Sequence, residues 1–406
     1  MSRSRRGVVA IVCAAQFCAQ IGAFAVPALL PTFIDEWGLS GTEAGWLTGI
    51  FYAGYTLSVP VLVALTDRID PKRIYLMGAT FIALGMFGYS LADGFWAALV
   101  SRAIVGVGWA GVYMPGLKAL SDLVEGPGQS RAVAAHAASV GVSGALSFAV
   151  AGGVAALLGW RAAMVVGGAG AIAALLLIGL LLPRSPRDFS GRGGSALLDF
   201  RPVLRNRSAV AYSIGYCFHT WEMSALRMWV VAFLAFSLAA TDGTAGLLAP
   251  TVVATVLGLV GTASSVIGNE ASIRFGRARA VAGVMTATMA VAAVIGFSSG
   301  VSYTLASGLV MLFAVLIWAD SSSLTAGTVG SADPRHRGAT MALHSTLGYG
   351  GGFLGPVVMG VVLDLAGGES VLGYGLAFAH LVPVGALGLC AVLLLRPKGL
   401  AGDRNG

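Results

Sequence analysis

Residues 67–73 read Asp67-Arg68-Ile69-Asp70-Pro71-Lys72-Arg73, and residues 274–279 read Arg274-Phe275-Gly276-Arg277-Ala278-Arg279. Each is a short charged interruption between long apolar runs. Arg68 and Arg274 stand 274 − 68 = 206 positions apart, about half of the 406 residues. A charged loop recurring at half the chain length marks a duplicated unit. Apolar runs of about 20 residues on either side are long enough to cross a bilayer as helices. The two stretches together predict an all-α membrane protein with twelve transmembrane helices in two pseudo-symmetric six-helix bundles.

Composition points the same way. With 57% hydrophobic residues, 11% charged residues, 58 glycines and a mean hydropathy of +0.84, the chain lies outside the range of soluble globular domains. The bilayer core offers no partner to backbone N–H and C=O groups, so spans are helices or closed barrels, and runs without period-two alternation select helices. Breaks at Gly, Pro and charged residues place spans at 8–33, 44–66, 74–92, 95–117, 132–157 and 162–182. Six more follow at 208–236, 246–267, 280–299, 302–328, 338–363 and 371–395. The first run is too long for a cleavable signal peptide. Residues 183–207, rich in Pro, Gly, Ser and Arg, form the one long connection and divide a bundle at 1–182 from one at 208–406.

Orientation follows from the basic residues. Of 25 Lys and Arg, all but Arg102, Arg161 and Arg227 (25 − 3 = 22) fall in the termini and in the loops after even-numbered spans. The positive-inside rule therefore puts both termini in the cytoplasm of a cell (inner) membrane. The net charge of +7 sits beside spans, where it faces anionic lipid and implies no nucleic-acid partner. Cys13, Cys18, Cys217 and Cys390 lie within apolar runs without metal-ligand spacing and read as small hydrophobes.

These features resemble the major facilitator superfamily over essentially the whole chain. In that family the loop after span 2 usually reads Gly, any, Leu, Ala, Asp, Arg, any, Gly, then basic residues. Here Leu65, Asp67, Arg68, Lys72 and Arg73 match, whereas Val63 and Asp70 replace glycines. The span-4 pattern is matched by Arg102, Gly106 and Gly108, with Val105 in place of the usual Gln. The second-half loop keeps Arg274, Gly276, Arg277 and Arg279, but Ile273 stands where an acid is expected. The resemblance implies alternating access, with Asp67, Arg68, Arg73, Arg274 and Arg277 as gating residues. Asp67 would latch the outward-facing state by meeting basic groups and the positive end of a neighbouring helix. The bland alternative is a solvated turn that only stops the span.

Charges within spans are costly and mark candidate sites, here Arg102, Glu222, Arg227 and Asp320. Arg102, Trp109 and Tyr113 share one stripe of span 4, and Gln16 and Gln20 sit four apart on span 1. On span 7, His219 and Glu222 are three apart, while Glu222 and Arg227 diverge by about 140°. Arg102, Arg227, Gln16, Gln20, Trp109, Tyr113 and His219 read as solute-binding residues, with Glu222 and Asp320 as proton-coupling carboxyls. Against this stand an arginine capping carbonyls, a fixed ion pair at Glu222 and a polar knot at Asp320 followed by Ser321, Ser322 and Ser323. The spacings His219/Met223 and Met285/Met289 suit soft-metal ligands, but methionine fills apolar gaps routinely, and no metal or other cofactor is expected. The glycines from Gly348 to Gly355, with Pro356, lack a following Lys and read as close helix packing rather than a phosphate loop.

The reading is a transporter and not an enzyme. Two membrane arginines favour a small anionic solute, moved by a monomer in proton-coupled symport. Proton-driven export of drugs or metabolites is the alternative, disfavoured because Gly144 is followed by Ala145 where antiporters of this family often have Gly-Pro. A metal-ion transporter and a transport-inactive sensor rank lower.

Overall fold

A computed structural model describes residues 5–66, 68–124, 128–185, 200–241, 244, 248–333, 336–395, 397, 400 and 403. Every regular element among the described residues is helical. The elements are α1 (Arg5–Gln20), α2 (Ala25–Ala28), α3 (Leu30–Trp37), α4 (Gly41–Leu65), α5 (Pro71–Ser90), α6 (Phe95–Leu123), α7 (Gln129–Leu158) and α8 (Trp160–Leu176). Then come α9 (Arg201–Leu204), α10 (Arg207–Ala240), α11 (Pro250–Phe275), α12 (Arg277–Ile295), α13 (Tyr303–Ser331), α14 (Arg337–Leu365), α15 (Val371–Ala379) and α16 (Leu381–Leu395). A π-helical turn extends α8 over Leu177–Leu181, and a 3₁₀ turn extends α12 over Gly296–Gly300. Ten of the described helical stretches are long and apolar enough to cross a membrane. The 20-residue α5 and the α1–α3 stretch stand where the third and first of twelve spans were expected.

Local chemistry sets the helix ends. Asp70 caps α5 by accepting from Lys72 N at 3.0 Å, with Pro71 in the first turn, where a missing N–H costs nothing. Asn206 caps α10 through Ala209 N at 3.1 Å, and Ser370 caps α15 through Gly373 N at 2.9 Å. Gly159 and Gly276 turn the chain between α7 and α8 and between α11 and α12 with φ of 82° and 90°, a region open to glycine and strained for other residues.

The first apolar run departs from the single span expected at 8–33. It breaks after Gln20 and again at Leu29 because Pro27 and Pro31 carry no N–H to continue the ladder. Gly22 presses on Gly167, where a Cβ would stand 2.7 Å from the Gly167 Cα. The break leaves Phe24 N free of the helix, and it donates to Ser147 Oγ at 3.0 Å.

The chain forms two compact units, one of residues 1–29 and 50–195 and a second of residues 30–49 and 196–406. Helix α4 is continuous across that division, since its first nine residues pack with the second unit. In the first unit, α5 and α6 meet through Gly78, Gly108 and Gly111, where a Cβ on Gly78 would lie 2.6 Å from the Gly108 carbonyl. In the second, α14 lies against α10 with Gly348 under the Tyr216 ring. Thr220 Oγ1 donates to Gly348 O at 2.5 Å, and Trp229 Nε1 donates to Pro356 O at 3.0 Å. The glycine-rich stretch on α14 is thus a packing surface, as small residues are in membrane helices generally.

Candidate functional site

In the second unit, His219 and Glu222 project from the same face of α10 and Asp320 from α13, all three buried. His219 Nδ1 lies 2.7 Å from Asp320 Oδ1. The approach is ion-pair close, yet neither His219 nitrogen nor Asp320 Oδ1 makes an aligned hydrogen bond among the described residues. Glu222 Oε1 is in the same position. Its carboxyl senses Asp320 electrostatically and rests on α16, where a Cβ at Gly385 would stand 2.6 Å from Oε1. A larger residue there would have to displace the carboxyl or the Met289 side chain beside it.

Each charge left unpaired in so buried a group carries a desolvation cost of several kcal/mol, so the close approach of His219 and Asp320 is what makes the arrangement tolerable. Spacing along α10 brought out His219 and Glu222. The pairing of His219 with Asp320, 101 positions later (320 − 219), needed the packing of α10 on α13.

The same face continues into an aromatic column that sequence reasoning missed. Tyr216 stacks on His219 at 5.4 Å and on His344 of α14 at 4.1 Å, with interplanar angles of 22° and 20°. Thr328 and Thr325 of α13 reach the two His344 nitrogens at 3.1 and 3.3 Å. The i, i+3 spacing of Tyr216 and His219 was the available signal. Arg227, two turns further along α10, is half-buried with its guanidinium over the Trp318 ring at 4.9 Å.

In the first unit, Arg102 of α6 is 1% exposed and stacks over Phe51 at 4.5 Å. None of its three guanidinium nitrogens has a hydrogen-bond partner among the described residues, and its electrostatic neighbours are Tyr89 and Tyr52. One face of α6 then carries an aromatic ladder. Trp109 meets Tyr55 at 4.8 Å and Tyr113 at 5.6 Å, and Tyr113 stacks on His136 of α7 at 6.0 Å. Gln16 Nε2 donates to Gln20 Oε1 at 3.1 Å, which leaves Gln16 Oε1 buried without a partner among the described residues. The structure thus groups Arg102 with Trp109 through Phe51, from which Trp109 stands 5.3 Å.

The expected gating residues divide three ways. Asp67 lies outside the described residues. Arg68, Arg73 and Arg274 are exposed, the last paired with Glu270 one turn earlier at 3.0 Å. Arg277 is buried and fully engaged: Nε and Nη2 hold both Asp403 carboxylate oxygens at 3.1 and 2.9 Å, and Nη1 donates to Asn269 Oδ1 and Ser323 O. The acid that Ile273 fails to provide thus arrives from residue 403. Beside Arg73, Lys72 Nζ donates to the carbonyls of Gly179 and Leu182 at 3.0 and 2.6 Å, closing the end of the π-turn.

No group of three or more His, Cys, Asp or Glu among the described residues could hold a metal ion. Met285 belongs to an apolar cluster with Tyr212, Val281, Leu324 and Val392, and Met289 packs on Gly385 beside Glu222.

A helical membrane protein with buried ionisable groups on its spans is the architecture of a multi-pass solute carrier. The family model of the Major Facilitator Superfamily matches residues 12–239, more than half of the chain, which belongs to that superfamily. It is 28% identical to human Protein spinster homolog 1 over 239 residues, covering 56% of this chain and 45% of that protein. It is 24% identical to the Sphingosine-1-phosphate transporter SPNS2 of Xenopus tropicalis over 217 residues, covering 52% and 42%. The chain spans about half the length of these curated relatives in the matched region. Among solved structures, a bacterial homolog to the human lysosomal transporter Spinster, in an inward-facing and occupied conformation, superposes with a TM-score of 0.77. That match covers 98% of this chain and 96% of the other at 18% identity, a likeness of fold.

Proposed function

We propose that the protein is a secondary transporter that moves a small anionic solute by alternating access, coupled to protons in symport. The observation that carries this reading is the Arg102 guanidinium, 1% exposed and without a hydrogen-bond partner among the described residues. A permanent charge so placed is costly, and an anion with planar oxygens relieves that cost by two parallel hydrogen bonds. The membership of the superfamily supports transport. Similarity to a sphingosine-1-phosphate transporter, whose solute carries a phosphate, supports an anion.

Protons are assigned to the His219, Glu222 and Asp320 group because its charge can be cancelled from within by proton uptake. Arg227, over Trp318, is assigned a second role in holding solute. The bundles at 1–182 and 208–406, joined by 183–207, are the moving parts. The chain acts as a monomer in a cell membrane with both termini cytoplasmic.

Thermal-shift screening of the purified protein against anions, cations and neutral metabolites at two pH values tests the solute class. Stabilisation confined to anions, and lost in Arg102→Gln, is expected. Stabilisation by cations or neutral solutes that Arg102→Gln leaves intact sinks the anion reading. A reporter placed after Arg192 should lie in the cytoplasm and one near Asp242 outside, and both on one side would break the twelve-span topology. Proton-driven export uses the same residues. The direction of solute movement under an imposed pH gradient in liposomes separates it from uptake.

A further inference from the structure

Asp364 lies in the last turn of α14, the end where a helix dipole disfavours negative charge. It is held there by another helix. Its Oδ1 accepts from Gly41 N at 2.7 Å, and its Oδ2 accepts from Thr42 N at 2.7 Å and from Thr42 Oγ1 at 2.5 Å. The next amide, Glu43 N, donates to Ser40 Oγ at 3.2 Å, while Glu43 Oε2 accepts from Ser40 N and Oγ, both at 2.9 Å. Ala44 N bonds the Ser40 carbonyl at 2.9 Å. The first four amides of α4 are therefore all satisfied, two of them by a carboxylate more than 300 residues away in sequence.

Below this cap, α4 presents a run of glycines to α14. Gly41, Gly45 and Gly49 recur every four residues on one face. A Cβ at Gly41 would lie 2.8 Å from Asp364 Oδ1 and from the Gly360 carbonyl. One at Gly45 would lie 3.0 Å from Val357 Cα, and one at Gly49 2.9 Å from the Phe353 carbonyl. Trp46 closes the seam edge-on to Phe353 at 5.2 Å. Apart from the Trp46–Phe353 edge contact, the glycine face meets α14 largely through backbone atoms, so little side-chain interlocking holds the seam.

Helix α4 continues unbroken from Gly49 into residues 50–65, which pack with the other compact unit. Any motion of residues 50–65 with their own unit must bend α4 or release its first turns from α14. We propose that Asp364 is a gating residue, a releasable cap that holds α4 on α14 in one state of the transport cycle and lets go in the other. This rests on the reading of the chain as an alternating-access transporter. It is the counterpart, at the opposite end of the same helix, of the latch expected at Asp67. Ser40, Gly41 and Asp364 lie at helix ends whose adjoining connections are poor in Lys and Arg, the outer side by charge, so the cap marks the state closed to the outside.

Hydrogen exchange of the full-length protein, read with thiol labelling at Ala44→Cys, tests the cap. Ala44 is fully buried in the first turn of α4, and neither readout needs a solute. Asp364→Ala should speed exchange of the Gly41 and Thr42 amides about tenfold, the usual cost of losing a helix cap. It should also raise the labelling rate of Ala44→Cys by an impermeant maleimide, while exchange in α12 and α13 stays unchanged. Asp364→Asn, with one acceptor oxygen left, should fall between. Unchanged amides overturn the cap. Faster local exchange without faster labelling overturns the gate, and faster exchange throughout the unit means a structural acid and also overturns it. A chain that shows both local changes but carries no solute in liposomes keeps the cap and loses the transporter reading.

Discussion

The first unit buries a guanidinium among aromatic rings and tyrosines, whereas the second buries an imidazole and two carboxyls within reach of one another. Both arrangements are expensive in a membrane, but they can be relieved in different ways. Arg102 carries a charge that no proton equilibrium near neutrality removes, and on the proposed reading its cost falls when an anion binds. The His219, Glu222 and Asp320 group holds opposite charges within one unit, where His219 and Asp320 approach to 2.7 Å. The buried charges of the two units thus differ in kind, a lone guanidinium in one and an imidazole with two carboxyls in the other.

That contrast makes ordered predictions. Glu222→Gln should have the largest effect, because a fixed neutral side chain removes the proton exchange of the second unit. Solute accumulation driven by a pH gradient in liposomes should be lost while exchange of solute across the membrane persists. Persistent accumulation would shift coupling to Asp320, and loss of exchange as well would make Glu222 structural. Next comes Asp320→Ala, which leaves His219 buried without its partner and should cost about 3–5 kcal/mol in unfolding free energy. Adding His219→Ala should restore part of that loss, and a double variant no more stable than Asp320→Ala would deny the pairing.

In the first unit, Arg102→Lys should weaken the stabilising anion about tenfold in thermal-shift titrations, since an ammonium cannot offer the planar fork. Unimpaired affinity would detach Arg102 from the solute. The smallest effect is expected at Arg227→Lys, roughly threefold in the same titration, because a half-buried cation over Trp318 is partly screened. An Arg227 effect larger than that at Arg102 would reverse the assignment of the fixed charge to the first unit.

Most of the architecture was legible in the sequence because membrane helices are written in composition and length. The spans expected at 208–236 and 338–363 correspond to α10 at Arg207–Ala240 and α14 at Arg337–Leu365. The first run, expected as a span at 8–33, is built from α1, α2 and α3, and its internal breaks were not legible. Hydropathy averages over Pro27 and Pro31, and backbone satisfaction at Phe24 depends on Ser147. Site residues were legible one helix at a time, by their cost and their periodicity. His219 with Asp320, His344 with Tyr216, and Asp364 with Gly41 are pairings between helices, and no period along the chain encodes them. Asp364 looked like an ordinary acid ending a span. Its role emerges only from the two amides it faces.

The pairing of Arg277 with Asp403 has a practical edge for anyone preparing this protein. Both side chains are 3% exposed, so a carboxylate beyond the last long helix takes part in the packing of the second unit. A shortened version stopping at Leu395 would strip the guanidinium of both its carboxylate oxygens, with only Asn269 and the Ser323 carbonyl left to hold it. The expected penalty of about 3–5 kcal/mol for a buried ion deprived of its partner is enough to turn a good preparation into an aggregating one. Asp403 therefore belongs in every version that is made.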